Sequence, residues 1–518
     1  MTISRKLSRG TSFILAMVIM LSVPATCFAR IGDSGYEGGI SSGEAPNKKS
    51  FTYQEPCFLT GVPVILSGTV IITKAMKTDA KTNSQIVTTT YKYSSPATST
   101  AKLTRNLTYV TTIKVDETGQ KTESTQLTKA NETISINGVN YTISSVDNYE
   151  LSKSILNDIR PAINYYSGTL WSKKTYTVSA GTGVRAQDTI VVESTGNYYG
   201  YEQYWSNSEV QLINQSITYN KPGKMPEQRG DVTIGISATT TKQLKYYENK
   251  PTQISFEGGY TQFQYNENIL QYTANLVELD KNKEPTSKTV KYKNSLKMES
   301  FPQQTKLLSP PLNKIKGHPL QEEMSIMFGL GAYKEPPAFV PQEYINRAEF
   351  VDAFVKIAKE VPIDPALAPK TTSSSKAKKT TVTSPFLDVS TNHEMFESIN
   401  EAAKRGFVVG TGKNSFRPDA KITVAEAVTI LINSIGLQDI APNPTAITSF
   451  KDDASIPEYA RAAFYVADKL NLIEGDKKGN INPGAYITKA EAAKLFKSYI
   501  DYMSESIRTE YMQKIISY

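Results

Sequence analysis

Two textures of apolar and polar positions divide the chain. From about Phe51 to Leu296 the residues are largely Thr, Tyr, Ser, Val, Ile and Asn, in short alternating runs. Alternation with period two, broken by turn residues, predicts half-buried strands. Leu107 to Val115 alternates in this way, and Val62 to Lys74 carries the β-branched run Val70-Ile71-Ile72. Glu132 to Ile136, then Asn137-Gly138, then Val139 to Ile143 predicts a hairpin, because Asn-Gly supplies the left-handed turn that joins two twisted strands. Further strands are predicted at Thr175–Val178, Asp188–Glu193, Glu209–Tyr219, Asp231–Ala238 and Gln262–Leu279. One interruption is expected. Leu151, Ile155 and Ile159 stand four apart, with Asp147 as a cap and Pro161 as a stop, which predicts a short helix. The expectation for this region is one or two β-sandwich-like domains.

Beyond the polar stretch Phe301 to Lys316 the apolar spacing becomes helical, and an internal repeat appears. Phe339-Val340-Pro341, Phe416-Arg417-Pro418 and Ile481-Asn482-Pro483 align on their prolines. Four residues on stand Ile345, Ile422 and Ile487. Seven on stand Ala348, Ala425 and Ala490, and eight on stand Glu349, Glu426 and Glu491. Asn346, Thr423 and Thr488 are placed to cap the helices that follow. Each has a glutamate three residues later, which is capping-box spacing. Upstream helices are expected at about Met395 to Arg405 and Glu458 to Leu470.

These segments resemble the S-layer-homology (SLH) family. The second copy matches best, from Phe386-Leu387-Asp388 through Gly406-Phe407-Val408-Val409-Gly410-Thr411-Gly412 to Ile422-Thr423-Val424-Ala425-Glu426. The third opens at Phe450-Lys451-Asp452 and runs through Ile473-Glu474-Gly475 to Ile487-Thr488-Lys489-Ala490-Glu491. The first is clear only in its second half, Ile345-Asn346-Arg347-Ala348-Glu349.

The resemblance implies three repeats packed as a pseudo-threefold helical prism. It implies grooves that bind anionic, often pyruvylated, polysaccharide linked to peptidoglycan. The motif's basic position would grip the anion, since a guanidinium fork matches a carboxylate. That position holds Arg347, Val424 and Lys489, which implies one good groove, one plausible groove at Lys489 and one without a cation. Asp388 and Asp452, which open the second and third repeats, complete the implied polysaccharide-binding set with Gly410, Gly412 and Gly475. Backbone amides at those glycines could donate to sugar oxygens. Plain turn chemistry explains the same glycines equally well.

The expected organisation is multidomain. Residues 1–29 form a signal peptide, 30–50 a flexible lead-in, 51–300 the β-rich region and 301–317 a connector. An all-α module of three repeats follows: 318–368 (degenerate), 385–440 and 449–518, the last with a C-terminal helix. A Lys/Ser/Thr-rich insert at 369–384 stretches the Arg347-to-Val424 spacing to 77 residues, against 65 from Val424 to Lys489.

The leader is read from basic Arg5, Lys6 and Arg9, the apolar run to Val23, and a small-residue cleavage site ending at Ala29. Cleavage there removes those three positive charges and no acid, taking the formal net charge from +8 to +5. That excess is mild and forms no dense basic stripe, so no nucleic-acid partner is expected. Cys57 is then the sole cysteine, which rules out an internal disulfide and a thiolate metal site. Beside Phe58 and Leu59 it reads as a small buried hydrophobe.

No catalytic set stands out and no cofactor is expected. The two histidines, His318 and His393, fall at the same place at the start of a repeat's first helix, which points to a structural role. The cluster Tyr198-Tyr199-Gly200-Tyr201-Glu202-Gln203-Tyr204-Trp205 fits cross-strand packing better than a sugar-stacking platform. The reading is a secreted cell-wall or cell-surface protein. Its helical module anchors it to wall polysaccharide, and its β region serves as an envelope-structural or adhesive surface. Contacts with other envelope proteins or self-association are further partner possibilities. A wall-anchored glycan hydrolase, and a worn repeat module that no longer binds, are the alternatives.

Overall fold

A computed structural model describes residues 38–42, 50–79, 81–82, 84–116, 120–180, 188–247, 259–280, 284–308, 314–334, 339–361, 383–412, 414–442 and 446–509. The expected signal peptide and nearly all of the Lys-rich insert lie outside the described residues.

The β-rich region is one antiparallel sheet of 15 strands: β1 (Ile40–Ser41), β2 (Ser50–Cys57), β3 (Val64–Asp79), β4 (Ser84–Ser94), β5 (Ala101–Val115), β6 (Lys121–Ile136), β7 (Val139–Ile143), β8 (Tyr149–Ile159), β9 (Ile163–Ala180), β10 (Thr189–Gln203), β11 (Ser206–Asn220), β12 (Glu227–Tyr247), β13 (Gly259–Leu279), β14 (Pro285–Glu299) and β15 (Gln303–Lys306). Neighbours in sequence are neighbours in the sheet, with β7 and β8 end to end between β6 and β9. The expected sandwich-like pair of sheets is thus replaced by a single hydrogen-bonded meander. Its inner face is nonetheless closed. Asn268 of β13 donates to the Ser41 carbonyl of β1 at 2.6 Å, and side chains of β2, β5, β6 and β9 meet in the interior.

That interior holds a buried ionic network. Arg105 donates to Glu55 at 2.7 and 2.8 Å and to Glu132 at 2.6 and 3.0 Å. Tyr176 donates to Glu132 at 2.7 Å, and Lys174 lies 3.5 Å from it. Burial opposes ionisation of Glu132, but Arg105, then Lys174, then these hydrogen bonds bring its pKa down to about 2. Cys57 lies nearby, buried, and burial pushes its thiol up to about 12.

The hairpin at Asn137-Gly138 forms as expected, with φ of 51° and 79° at its two turn residues. The short helix does not form. Residues 149–159 are strand β8, in which Tyr149, Leu151, Lys153, Ile155 and Asn157 face inward. Spacing of four is a multiple of two, so Leu151 and Ile155 satisfy a strand as well as a helix. Within the expected connector, β15 adds to the sheet on β13.

The helical module contains α1 (Gln321–Gly329), α2 (Arg347–Ile357), α3 (Phe396–Lys404), α4 (Val424–Ile435), α5 (Arg461–Lys469) and α6 (Lys489–Asp501). The three aligned isoleucines form a ring of backbone hydrogen bonds. Ile345 N–H donates to the Ile487 carbonyl at 3.1 Å, Ile422 N–H to Ile345 at 3.2 Å and Ile487 N–H to Ile422 at 3.2 Å. A second cyclic tier joins Arg347 N–H to Ala420, Val424 N–H to Ala485 and Lys489 N–H to Glu343, each at 2.9 Å. Phe350, Phe354, Phe407, Phe496 and Tyr499 fill the centre.

The sheet docks on this module at the C-terminal ends of α2, α4 and α6. The last carbonyls of a helix lack intrahelical partners, and here the sheet supplies several. Trp205 Nε1 donates to the Ile357 carbonyl at 3.0 Å. Ala162 N–H donates to Ser434 at 2.8 Å. Ser206 Oγ donates to Met503 at 2.6 Å, and Gln203 Nε2 donates to the same carbonyl. Met503 sits in a π-helical turn (Tyr502–Ser506) that extends α6. The aromatic cluster therefore faces inward. Tyr198, Tyr201 and Trp205 are buried, and Tyr201 and Trp205 belong to the same apolar core as the helices.

Candidate binding grooves

The opposite ends of α2, α4 and α6 carry the aligned motif. α2 has 11 residues, roughly 16 Å at 1.5 Å per residue, so its first residue lies well away from the docked sheet. All three N-termini close complete capping boxes: Asn346 with Glu349, Thr423 with Glu426 and Thr488 with Glu491. These caps fix where the next side chain, the motif's basic position, projects.

Arg347 projects from the first repeat onto the second. It is only 6% exposed, with its guanidinium 5.1 Å above the Phe416 ring and 3.5 Å from Glu426. Its Nε has no hydrogen-bond partner among the described residues. Burial lowers its pKa, Glu426 opposes that shift, and Arg417 adds to it. Arg417, by contrast, is exposed and reaches the same Glu426 oxygen at 3.3 Å. Tyr459, from the third repeat, is exposed and hydrogen-bonds Thr423 beside this group. Arg417 and Tyr459 were not singled out from sequence. The available signal for Arg417 was its central place in the Phe-Arg-Pro triplet.

Asp388 and Asp452 serve the loops that carry the triplets. Asp388 accepts the backbone N–H groups of Phe416 and Arg417, both at 2.7 Å, and the Ser415 hydroxyl at 2.6 Å. Although burial acts against it, these bonds hold its carboxyl below the usual range. Asp452 likewise accepts from Ile481 at 2.8 Å and Asn482 at 2.7 Å. Arg417 and Asn482 have φ of 57° and 51°, a left-handed conformation that the aspartates brace.

Gly410 and Gly475 are equivalent. A Cβ on either would stand 3.3 Å from a ring, Phe386 or Phe450 respectively, so a side chain there would require its neighbours to shift. Gly412 has open space around its α-carbon.

Lys489 lines a cavity of about 240 Å³ with Ala332, Tyr333, Phe339, Glu349 and Met395. Its Nζ is 2.6 Å from Glu343 and 3.4 Å from Glu349. Val424, half-buried at the equivalent point of the second repeat, offers no charge. The histidines are structural: each Nδ1 accepts the N–H two residues on, His318 from Leu320 at 3.0 Å and His393 from Met395 at 3.1 Å.

Residues 385–428 and 449–493 match the model of the S-layer homology domain. The chain carries S-layer homology domains. The two matched stretches take in α3, α5 and the first turns of α4 and α6, while Ile345 and α2, which complete the hydrogen-bonded ring, lie outside the match. Relatives include an exoglucanase, XynX, of Acetivibrio thermocellus, 27% identical over 164 residues, or 32% of this chain and 13% of that protein. An amylopullulanase of Thermoanaerobacterium thermosulfurigenes is 26% identical over 164 residues, or 32% of this chain and 8% of the relative. A surface-layer 125 kDa protein of Lysinibacillus sphaericus is 23% identical over 133 residues, covering 25% of this chain and 11% of that protein. The match thus spans about a tenth of each relative. S-layer homology domains imply cell-wall or cell-surface association. Among the described residues, no helix is long and apolar enough to cross a membrane.

Proposed function

We propose that this is a secreted surface protein anchored without a covalent bond to an anionic polysaccharide of the wall. The helical module acts as a pseudo-threefold prism of three repeats, and the sheet is an envelope-structural or adhesive body. The observation that carries this reading is the polarity of the module. Among the described residues, the sheet's hydrogen bonds to α2, α4 and α6 fall at the ends opposite the motif, which are consumed in docking it. A wall polymer engaged at the free end leaves the sheet held rigidly outward.

The names of two relatives raise a wall-anchored glycan-active enzyme as a second reading. The interior carboxylates Glu55 and Glu132 speak against placing its chemistry there. Both are bound to Arg105, and the adjoining cavity measures about 40 Å³, room for water rather than a sugar.

Co-sedimentation of the full chain with wall sacculi tests the anchoring reading. Retention on sacculi that bear their polysaccharide, with loss after the polysaccharide is extracted, is the expected result. Equal retention on both, or on neither, overturns it.

A further inference from the structure

We infer that Tyr344, Lys421 and Tyr486 form a seat for one uncharged pyranose ring of a wall glycan, at the centre of the hydrogen-bonded isoleucine ring. This rests on the anchoring reading and adds a contact that differs from the grooves in place and in chemistry. The grooves lie between repeats and carry paired charges. The seat lies where all three repeats meet.

Three observations carry it. The first is place. Each of the three residues stands immediately before a ring isoleucine, Ile345, Ile422 or Ile487. Each is also bridged through its backbone to the helix cap of another repeat: Tyr344 to Thr488, Lys421 to Asn346 and Tyr486 to Thr423. This cyclic pairing brings one residue from every repeat to a common point and holds it there. The ring centroids of Tyr344 and Tyr486 are 5.9 Å apart, with their planes inclined at 64°. Lys421 Nζ lies 4.6 Å from the first centroid and 5.7 Å from the second.

The second is exposure. Tyr344 is 46% exposed and Tyr486 50%, and Lys421 is exposed beside them. The isoleucines that follow are buried and complete the core, so the fold does not call on these two rings to fill it. Two stiff aromatic side chains, half bare on a fixed backbone, are contact area with little freedom left to lose on binding.

The third is charge. Lys421 makes no ion pair among the described residues, whereas Lys489 is matched by Glu343 and Glu349. An aromatic face is electron-rich, so it attracts an ammonium and disfavours an anion laid on it. A pyranose ring suits both parts of the seat. Its C–H groups make an apolar face for a tyrosine, and its hydroxyl oxygens accept from the Lys421 ammonium, which has three donors. An uncharged ring can come from the wall polysaccharide or from the glycan strands of peptidoglycan, and the test separates these sources.

The test measures affinity of the full-length chain at two salt concentrations for two probes: polysaccharide released from wall sacculi, and soluble glycan strands from sacculi stripped of that polysaccharide. Tyr344→Ala and Tyr486→Ala remove the stacking faces, and Tyr344→Phe keeps one without its hydroxyl. The expected result is about a tenfold loss for each alanine variant, with Tyr344→Phe close to wild type. The loss should be the same factor at both salt concentrations, because stacking on an uncharged ring is not screened. The melting midpoint should not move. A loss with the polysaccharide assigns the ring to that polymer, and a loss with the glycan strands assigns it to peptidoglycan. Wild-type affinity of both alanine variants for both probes overturns the seat and leaves anchoring intact. A loss that disappears at high salt overturns the uncharged ring, and a loss matched by a fall in the melting midpoint makes the tyrosines structural and overturns the seat. If the wild-type chain binds neither probe, the anchoring reading falls and the seat falls with it.

Discussion

The indole N–H of Trp205 donates to the carbonyl oxygen of Ile357 at 3.0 Å, so a side chain of the sheet caps the last turn of a helix 152 residues later. Trp205 is almost fully buried among helix residues. The sheet and the module thus share one core and form more than a tethered pair. Trp205→Ala should cost about 3–5 kcal/mol, as for other buried aromatics truncated to alanine. Trp205→Phe should cost less, mainly the unmet carbonyl, about 1–3 kcal/mol. Denaturant unfolding followed by circular dichroism checks both. The wild type should unfold in one transition, and Trp205→Ala should separate sheet from helices.

Lys242, behind the same interface, should make docking sensitive to pH. Its Nζ lies 3.5 Å from the centre of the Tyr204 ring, and Lys359 donates to the Tyr204 hydroxyl at 3.1 Å. Burial brings the Lys242 pKa down to about 8 from 10.5; Tyr204 opposes the shift and Lys359 adds to it. Tyr204 is also lowered, because Lys242 and Lys359 outweigh its burial. For both groups the unfolded chain holds its proton to higher pH than the folded one, so stability rises with pH in that window. Thermal unfolding should show a rising midpoint from pH 8 to about 10, and Lys242→Met should flatten that rise.

The interior network predicts the opposite limb. Arg105→Met strands two buried carboxylates and should destabilise the sheet by about 3–5 kcal/mol at pH 7. In the wild type, Glu132 has a depressed pKa, so its stabilising contribution is complete above about 4.5 and fades as pH falls towards about 2. Guanidinium unfolding midpoints at pH 7, 4 and 3 measure this, and Glu132→Gln should lose that part of the acid dependence.

The capping boxes are worth little singly and matter for aim. Thr488→Ala should cost on the order of 1 kcal/mol. Because Thr488 precedes Lys489, it should also release the Lys489 side chain from Glu343. A melt for stability and a Lys489 side-chain NMR signal for the ion pair separate the two effects.

Local signals were legible in the chain, and distant ones were not. Asn137-Gly138, the three capping boxes and the paired histidines were readable because each depends on residues within a few positions. Leu151 and Ile155 misled because their spacing serves both periods. The strands pair with their sequence neighbours, but whether successive hairpins stay in one sheet or split into two depends on how their faces pack, which no local pattern records. Arg347 was found by its place in the motif, but its burial above Phe416 and the exposure of Arg417 depend on contact between repeats. The docking of Trp205 on Ile357 has no local trace at all.

The most direct test of the central claim is hydroxyl-radical footprinting of the full chain on polysaccharide-bearing sacculi. Protection is predicted at residues 341–347, 417–424, 459 and 483–489, at the free end of the helices, with the outer face of β14 unchanged. Protection of the sheet with no change at those helix ends would contradict the account.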